Sequence, residues 1–466
     1  MGLTAPWTRA YRQELTRSLS LSENVLLTLS SVSPASSVFI YSPALIASLG
    51  GAAVVAILLA AAVAACMALC YGELAAVYPI AGGEYTWAAR VLGRPVGFAL
   101  LLLTLAGATG VGGILAAGAS EYIAVVWPAL SGRGTAVLVI IFATSVAMLN
   151  VRTNSWVTGG FLALELLALV ALTVLGLMHP SRGVGAFVSP QVVDGAGVLS
   201  AGQWRSLAPL VPMALLMLGG FQSAVYFAEE TIGASRQLGR AILVSLAAAV
   251  VTQLVPVAAV IVGAVSLSDL MTTPSPISDF VRERGGRGVG IAMSLGVALA
   301  IVNALIVAIN VWARILFASA RDRSWPDAVD RLLAHVHVRF GTPVPATAVI
   351  GTAAVAASFL PFAWLVTAIA GVGIVQFGIV GACALRVRGL EYRAAGGYRM
   401  PAWPLPSLAL IVVTLGLLYQ LSQDTPSSVA ASLAIAAFGV LYYYAFIHPR
   451  RKERWTLPDA IFDDRH

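Results

Sequence analysis

The chain has 466 residues, of which 59% are hydrophobic and only 11% are charged, and its net charge is +7. Soluble globular domains carry about 25% charged residues, so this composition excludes a soluble protein and indicates an integral membrane protein. A basic chain can bind nucleic acid, but here the basic residues follow the membrane topology described below, which excludes that class of function.

Twelve segments of the sequence are long and apolar enough to cross a bilayer, which takes about 20 residues each. They are residues 24–47, 51–73, 96–120, 135–152, 156–178, 207–228, 240–265, 289–314, 344–360, 363–385, 403–421 and 428–447. Residues 1–23 contain three arginines and no apolar core, so they do not resemble a cleaved signal peptide and are predicted to be a cytoplasmic segment. We therefore predict an all-α membrane protein with twelve transmembrane helices.

The distribution of basic residues predicts the orientation of these helices. With the N-terminus inside, the outside loops hold only six of the 28 Lys and Arg residues. These six are Arg133, Arg182, Arg205, Arg282, Arg284 and Arg287. This excess on the inside follows the positive-inside rule, so we predict a multi-pass protein of the cell membrane with both termini cytoplasmic. Lys452 is the sole lysine and alanine is abundant, which indicates a GC-rich bacterial genome and hence the bacterial inner membrane.

The sequence offers little to support enzyme, metal or redox chemistry. Cys66, Cys70 and Cys383 lie inside or at the ends of apolar segments, where a free cysteine behaves as a small hydrophobic residue. We predict no disulfide, metal site or cofactor from them. The sequence contains no HExxH or GxSxG motif and no paired acids at midplane depth, so we do not predict an enzyme.

The twelve segments divide into two units of five and a C-terminal pair. The first unit is residues 24–178, the second is residues 207–385, and residues 179–206 form an extracellular loop between them. Helices 11 and 12 occupy residues 386–447, and residues 448–466 form a cytoplasmic tail. Because five is odd, the second unit starts on the opposite side of the membrane, so any structural similarity between the units would be inverted.

Each unit opens with an interrupted apolar segment. In the first, five serines and Pro34 lie within residues 30–37, and in the second, Gly219 and Gly220 follow two prolines. Both interruptions lie roughly 9 to 13 residues into their segments, which places them near the middle of a hydrocarbon core about 30 Å thick. Paired broken helices at corresponding positions indicate the binding site of a secondary transporter.

The Ser33-Pro34 pair can end one half-helix and begin another. Serine is a favoured N-cap and proline a favoured first helical residue, so the backbone N–H groups of Ala35, Ser36 and Ser37 would face the gap. These groups, with the positive end of the helix dipole, form a site for a carboxylate. The alternative interpretation is an ordinary proline kink, in which the serines donate hydrogen bonds to carbonyls of the preceding turn.

Three stretches of the sequence carry motifs whose combination is specific. Residues 72–98 contain a glutamate, then P-x-x-G-G-x-Y and G-x-x-x-G-F; residues 220–231 read GFQSAVYFAEET; and residues 313–329 read ARILFASARDRSWPDAV and are followed by TPVP. The matching positions include Glu73, Pro79, Gly82, Gly83, Tyr85, Gly93, Gly97, Phe98, Gly220, Phe221, Glu229, Glu230, Thr231, Arg314, Arg321, Asp322, Pro326, Pro343 and Pro345. Together these motifs resemble the amino acid/polyamine/organocation (APC) superfamily of secondary transporters.

The resemblance implies the LeuT-type fold, which is a 5+5 inverted repeat with discontinuous helices 1 and 6 and a substrate site between the two breaks. Amino acids or related amines are the usual substrates. Carried over to this sequence, the substrate-binding residues are Ser31, Ser33, Ala35, Ser36, Ser37, Met217, Leu218, Gly219, Gly220, Phe221 and Gln222. This sequence departs from the superfamily at Leu218, where members often have an aromatic lid, and in the helix 1 break, where serines and Ala35 replace glycines.

Glu165 alone among the 21 acidic residues lies well inside an apolar segment, roughly 13 Å from its cytoplasmic end. A charge at that depth costs at least about 2.5 kcal/mol, so such a residue is a functional candidate. A carboxyl buried in this way can take and lose a proton during the transport cycle, which makes Glu165 the candidate for proton coupling. The alternative is a neutral glutamic acid that only links helix 5 to a neighbouring helix.

Other charged residues lie at the predicted inner ends of helices. Glu73, Glu229, Glu230 and Arg314 are candidates for an inner gate, whose ion pairs would break when the transporter opens inward. Static salt bridges at the cytoplasmic surface are the alternative.

These features predict a secondary active transporter that imports an amino acid or a related small amine by alternating access, coupled to protons. Two alternatives stay open, an amino acid/polyamine exchanger and a non-transporting membrane sensor on the same fold. Sodium coupling also stays open, because sodium sites use backbone carbonyls and hydroxyls that leave little sequence signature.

Overall fold

The computed structural model describes residues 19–80, 82–149, 151–194, 197–273, 275–390, 397–455 and 457. Within these ranges the chain is almost entirely helical, with one antiparallel pair of short strands, Gln191–Val193 (β1) and Leu199–Ala201 (β2). The all-α class predicted from the sequence is therefore confirmed.

The first half of the chain forms seven α-helices. They are Leu21–Val32 (α1), Pro34–Leu49 (α2), Ala53–Val77 (α3), Glu84–Val91 (α4), Arg94–Val126 (α5), Arg133–Ala147 (α6) and Val151–Met178 (α7). The short strands follow α7 and lie in the loop predicted to be extracellular.

Nine more α-helices follow the short strands. They are Val211–Leu218 (α8), Ala234–Gly263 (α9), Leu267–Thr272 (α10), Pro276–Arg321 (α11), Asp327–Leu333 (α12), Val344–Ala357 (α13), Phe362–Leu390 (α14), Leu405–Asp424 (α15) and Pro426–Tyr442 (α16). A 3-10 helix, Phe221–Phe227, continues from α8, and a π-helical turn, Tyr443–Ile447, continues from α16. The backbone of α11 is kinked at Gly286, whose φ is 80°.

Each of the twelve predicted apolar segments falls mainly on one helix or on a broken pair of helices. By length and composition, the described residues contain eight helices that could cross a membrane, or nine if the bent pair Trp204–Leu218 and Phe221–Phe227 forms one span. This count is lower than the twelve spans predicted from the sequence for two reasons. Helices α6 and α13 are too short to be counted, and α1, α2 and α3 count once, as the continuous apolar stretch Leu21–Val77. The structure thus supports a helical membrane protein, and the count of twelve spans stays a prediction.

The break predicted in the first apolar segment lies between α1 and α2. Ser33 adopts a left-handed conformation, with φ 45° and ψ 74°, and Pro34 is the first residue of α2. The second break follows α8, where Gly219 is extended and Gly220 has a φ of 106°. The two segments of this second broken helix are bent by 41°.

The two breaks lie against each other in the centre of the protein. A Cβ atom built on Gly220 would lie 2.8 Å from the Cα of Val32 and 3.1 Å from the carbonyl oxygen of Ser31. The shorter of these separations is below any that real Cβ atoms show, so only glycine allows the second break to approach the first this closely. Helix α5 packs against both α11 and α14, and these three helices complete the walls around the junction.

Two of the sequence motifs meet at one end of the helix bundle. Tyr85, from the glycine motif at the start of α4, donates a hydrogen bond of 2.8 Å to Asp322, which follows α11. Tyr85 and Asp322 are both buried. The contact brings together two motifs that are more than 200 residues apart in the sequence: one supplies the donor and the other the acceptor.

Candidate functional site

A cavity of about 200 Å³ lies where the two helix breaks face each other. Its walls come from α1 and α2, from α8 and the Phe221–Phe227 helix, and from α5, α11 and α14, with Glu84 contributed by α4. Ligand sites of membrane transporters are expected at such broken helices, since the broken segments leave backbone groups free to bind polar atoms.

Seven of the eleven predicted substrate-binding residues line this cavity. They are Ser31, Ser33, Ser36, Ser37, Gly219, Gly220 and Gln222. The other four are not among the lining residues, and each of them is at most 2% exposed. They are Ala35, Met217, Leu218 and Phe221. Their side chains face the protein interior instead, so any role in binding would have to use their backbone atoms.

Several polar groups of the breaks are already hydrogen bonded within the protein. The N–H of Ser37 donates to the carbonyl of Ser33 across 3.0 Å, so this amide is not free for a ligand, contrary to expectation. The Ser37 hydroxyl donates to the carbonyl of Val32 across 3.1 Å, much as the kink interpretation expected of a serine. In the second break, the N–H of Gly220 donates to the side-chain oxygen of Gln222 across 3.0 Å.

The carboxyl of Glu165 occupies the start of α2. Ser33 Oγ donates a hydrogen bond to Glu165 Oε2 across 2.9 Å, and the backbone N–H of Ala35 provides a further polar contact. Ser33 Oγ is also 2.6 Å from Ser36 Oγ. Because the single hydroxyl proton of Ser33 goes to Glu165, Ser36 is the donor in that second bond. A carboxyl from α7 therefore lies where the sequence predicted the carboxylate of the substrate.

One oxygen of Glu165 has no protein partner. Glu165 is only 1% exposed, and its Oε1 makes no hydrogen bond within the part of the chain that the structure describes. A buried carboxyl oxygen without a hydrogen-bond partner is costly, and the cost is larger for an ionised carboxylate than for a neutral carboxyl. Oε1 is therefore left as an acceptor for a proton or for a donor group of a ligand.

Glu84 is a second acid in the cavity, and the sequence analysis did not identify it. Tyr71 and Tyr226 donate hydrogen bonds of 2.8 Å to Glu84 Oε1, and Tyr226 is also 2.9 Å from Oε2. The three side chains join α3, α4 and the Phe221–Phe227 helix at one end of the cavity. Glu84 is the variable position of the motif G-G-x-Y, and it stands between predicted spans, so no local pattern indicated that it is buried.

The residues predicted as an inner gate all take part in ion pairs. Glu230 Oε1 lies 3.5 Å from Arg314 Nη1, and Glu229 Oε1 lies 3.7 Å from Arg321 Nη2. The fully buried Glu73 pairs with Arg388 of α14. The sequence analysis predicted ion pairs for these residues but did not identify Arg388 as the partner of Glu73, because the two lie 315 residues apart in the sequence.

Leu19, the first described residue, and α1 are attached to the residues around Glu230. The N–H of Leu19 donates to the carbonyl of Glu230 across 2.9 Å, and the N–H of Ile232 donates to the carbonyl of Leu19 across 3.0 Å. Asn24 donates from its side chain to Thr231 Oγ1 across 2.8 Å. The beginning of α1 and the end of the second broken helix are therefore joined into one unit.

Away from the breaks, the cavity walls are mainly apolar. Val111 and Leu115 of α5, Trp312 of α11 and Ile369 and Phe377 of α14 line this part. Gln376 of α14 and Thr104 of α5 are polar residues within this apolar part of the wall, and Gln376 donates a hydrogen bond to Thr104 across 2.8 Å. The cavity thus has hydroxyl, amide and carboxyl groups at one side and hydrocarbon and aromatic groups at the other, which suits a ligand with the same asymmetry.

Comparison with known proteins finds similarity to amino acid permeases and transporters over most of the chain. Residues 19–446 match a family model described as amino acid permease. An uncharacterized transporter of Mycobacterium tuberculosis (strain ATCC 25618 / H37Rv) is 29% identical over 442 residues, which cover 92% of this chain and 92% of that protein.

Two relatives with named substrates are more distant. The branched-chain amino acid permease BcaP of Bacillus subtilis is 22% identical over 366 residues, or 74% of this chain and 75% of the permease. The human large neutral amino acids transporter small subunit 2 is 28% identical over 291 residues, or 60% of this chain and 52% of that protein. The resemblance to the APC superfamily is confirmed by the family match, and the chain belongs to the amino acid permease family.

Proposed function

We propose that the protein is a secondary active transporter that carries an amino acid across the cell membrane by alternating access. The observation that carries this proposal is the cavity between the two broken helices. On this proposal residues 24–178 and 207–385 are inverted repeats within a twelve-span LeuT-type fold, residues 386–447 form helices 11 and 12, and both termini face the cytoplasm.

The substrate that fits the cavity best is a neutral amino acid with an apolar side chain. The polar groups of the two breaks suit an amino acid backbone, and the walls formed by α5, α11 and α14 suit a hydrocarbon side chain. The names of the two relatives above, a branched-chain permease and a large neutral amino acids transporter, agree with this choice. A small amine without a carboxylate would leave the groups at the start of α2 without a ligand.

The ends of the substrate would be held by opposite ends of the broken segments. The amine would donate hydrogen bonds to the carbonyl groups of Ser31 and residues 217–219, which lie at C-terminal ends where the helix dipole is negative. The carboxylate would bind at the start of α2, with the Ser36 N–H as its donor. The side chain would extend toward Trp312 and Phe377.

Glu165 is the proposed site of proton coupling. It shares the start of α2 with the proposed site of the substrate carboxylate, and two carboxylates there would repel each other. Protonation of Glu165 removes that repulsion, so a proton and an amino acid would bind together, and release of one would favour release of the other. The inner-gate pairs of Glu73, Glu229, Glu230 and Arg314 would break when the cavity opens to the cytoplasm.

The test is uptake of radiolabelled amino acids into proteoliposomes with an imposed inward proton gradient. We expect leucine to accumulate above its equilibrium level, and lysine and putrescine to accumulate far less. Uptake that occurs only into vesicles preloaded with an amino acid would identify an exchanger. Binding of leucine by thermal shift without any flux would identify a sensor, and accumulation driven by sodium would exclude the role of Glu165.

A further inference from the structure

A second pocket, with basic and aromatic walls, lies at the surface. It is formed by Arg94, Pro95, Tyr443, Tyr444, His448 and Arg451, and we call it the basic pocket. One wall is the beginning of α5, and the other is the π-helical turn after α16 with the residues that follow it. None of these residues takes part in the proposed transport site.

The π-helical turn shapes the aromatic wall of the basic pocket. Tyr443 is buried and Tyr444 is exposed, and their ring centroids are 5.3 Å apart with the ring planes nearly perpendicular. The ring of His448 lies 5.7 Å from that of Tyr444. Single π-helical turns within α-helices are rare and frequently occur at functional sites. Here the turn brings two consecutive tyrosines and His448 to one pocket.

The charge of the pocket is entirely basic. Arg94 and Arg451 are exposed, and both lie close enough to Tyr443 to act on it electrostatically. Among the residues for which the structure gives side chains, no acid lines the pocket and no ion pair involves Arg94 or Arg451. The nearby Arg454 differs, because it pairs with Asp327 and Asp330 and is therefore neutralised.

The pocket lies where two candidate membrane spans end. The span Arg94–Val126 begins at the pocket, and the span Pro426–Arg450 ends there. Tyrosine and arginine at the end of a span are favoured at the level of lipid headgroups, and basic pockets between transmembrane helices bind acidic headgroups. A phosphate at this level would meet two guanidinium groups and the exposed edge of the tyrosine wall.

We propose that the basic pocket binds the phosphate headgroup of an anionic phospholipid. The lipid would come from the leaflet on the side of the C-terminal tail, which the charge distribution predicts to be cytoplasmic. Its headgroup would lie between Arg94 and Arg451, and its acyl chains would run along the outer surfaces of α5 and α16. The bound lipid would hold the beginning of α5 against the end of α16.

The experiment compares full-length wild type with the double variant R94Q/R451Q in detergent. The apparent melting temperature is measured with added phosphatidylglycerol, with added phosphatidylcholine, and with inorganic phosphate at the same phosphate concentration. The control variant is R339Q, which removes an exposed arginine from the same predicted side of the membrane but outside the pocket. Equal melting temperatures of all three proteins in phosphatidylcholine show that the variants are folded.

We expect phosphatidylglycerol to raise the melting temperature of wild type and R339Q by several degrees and to have at most half that effect on R94Q/R451Q. The proposal is overturned if the double variant responds like wild type, or if phosphatidylcholine works as well as phosphatidylglycerol. An equal response to inorganic phosphate would show a site for a free anion instead of a lipid. If the double variant does not fold, native mass spectrometry of each single variant is used, and retention of as many phosphatidylglycerol molecules as wild type overturns the proposal.

Discussion

The hydroxyl of Ser33 donates a hydrogen bond to Oε2 of Glu165 across 2.9 Å, and this bond links the break in the first helix to a buried acid of α7. Ser33 is the residue that separates α1 from α2, so on the proposed coupling role a change in the protonation of Glu165 would act directly on the point where the helix is broken. Such a contact gives the proton and the helix break a direct means of coupling, because both would change the same hydrogen bond.

Glu165→Gln should therefore abolish accumulation driven by a proton gradient while exchange of amino acids across the membrane continues. Glutamine keeps the size of the side chain and can still accept a hydrogen bond from Ser33, but it cannot be protonated in the physiological range. Uptake and exchange of radiolabelled leucine in proteoliposomes distinguish the two activities. Glu121→Gln, at an exposed acid of α5, is the matched control. Accumulation by the Glu165→Gln variant that depends on pH as in wild type would contradict the coupling role.

Ser36→Pro tests the proposed carboxylate site. Residue 36 lies in the first turn of α2, where a proline costs little helix stability but removes the backbone N–H proposed to bind the substrate. We expect the stabilisation of the protein by leucine in a thermal-shift assay to disappear. Ser36→Ala keeps the N–H and removes only the hydroxyl, so its affinity should fall by about tenfold or less. Unchanged leucine affinity of the proline variant would exclude this carboxylate site.

Gly220→Ala should prevent the two breaks from approaching. The added methyl group would lie 2.8 Å from the Cα of Val32, and the φ of 106° is itself unfavourable for alanine by roughly 1–3 kcal/mol. We expect a lower melting temperature and loss of leucine transport. Gly132→Ala is the control, because Gly132 has a similarly positive φ of 88° but no atom outside its two neighbouring residues lies within 4 Å of its added Cβ. Equal transport by the two variants would show that the close approach is not needed.

The sequence allowed the helix break to be predicted but not the acid that reaches it. Ser33 and Pro34 interrupt a helix by local chemistry, through the missing N–H of proline and the capping preference of serine, and local chemistry can be read from the sequence. That α7 packs against α1 and α2 depends on tertiary structure, so nothing in the sequence placed Glu165 beside Ser33. The same reason explains Glu84, which two tyrosines from other segments surround.

Tyr226→Phe should impair transport more than Tyr71→Phe. Both hydroxyls donate to Glu84, but Tyr226 contacts both carboxyl oxygens and belongs to the Phe221–Phe227 helix, which forms one side of the cavity. Removal of the Tyr226 hydroxyl breaks the hydrogen bond between this helix and α4, whereas removal of the Tyr71 hydroxyl leaves that bond in place. Initial rates of leucine uptake, normalised to the amount of folded protein, measure the difference. Equal rates for the two variants would show that the link between Tyr226 and Glu84 plays no part in transport.

Asp322 gives a prediction for stability as a function of pH. This residue follows the last residue of α11, and burial raises its pKa from the ordinary value of 3.8 to about 7, although Arg321 and the hydrogen bond from Tyr85 oppose the rise and Glu229 adds to it. Between these two values the unfolded chain loses the proton while the folded protein keeps it, so raising the pH favours unfolding. The destabilisation is absent below about pH 4 and complete above about pH 7.

Asp322→Asn should remove this dependence, because asparagine can still accept the hydrogen bond from Tyr85 but does not ionise. The apparent melting temperature of wild type, relative to that of the variant, should therefore fall as the pH rises from about 4 to about 7 and then level off. Asp424→Asn, at an exposed acid at the end of α15, should show a much smaller change over the same range. A wild-type melting temperature that rises relative to that of the Asp322→Asn variant over this range would mean that ionised Asp322 stabilises the fold. In that case the arginine and the tyrosine, and not burial, would dominate the contact between the two motifs.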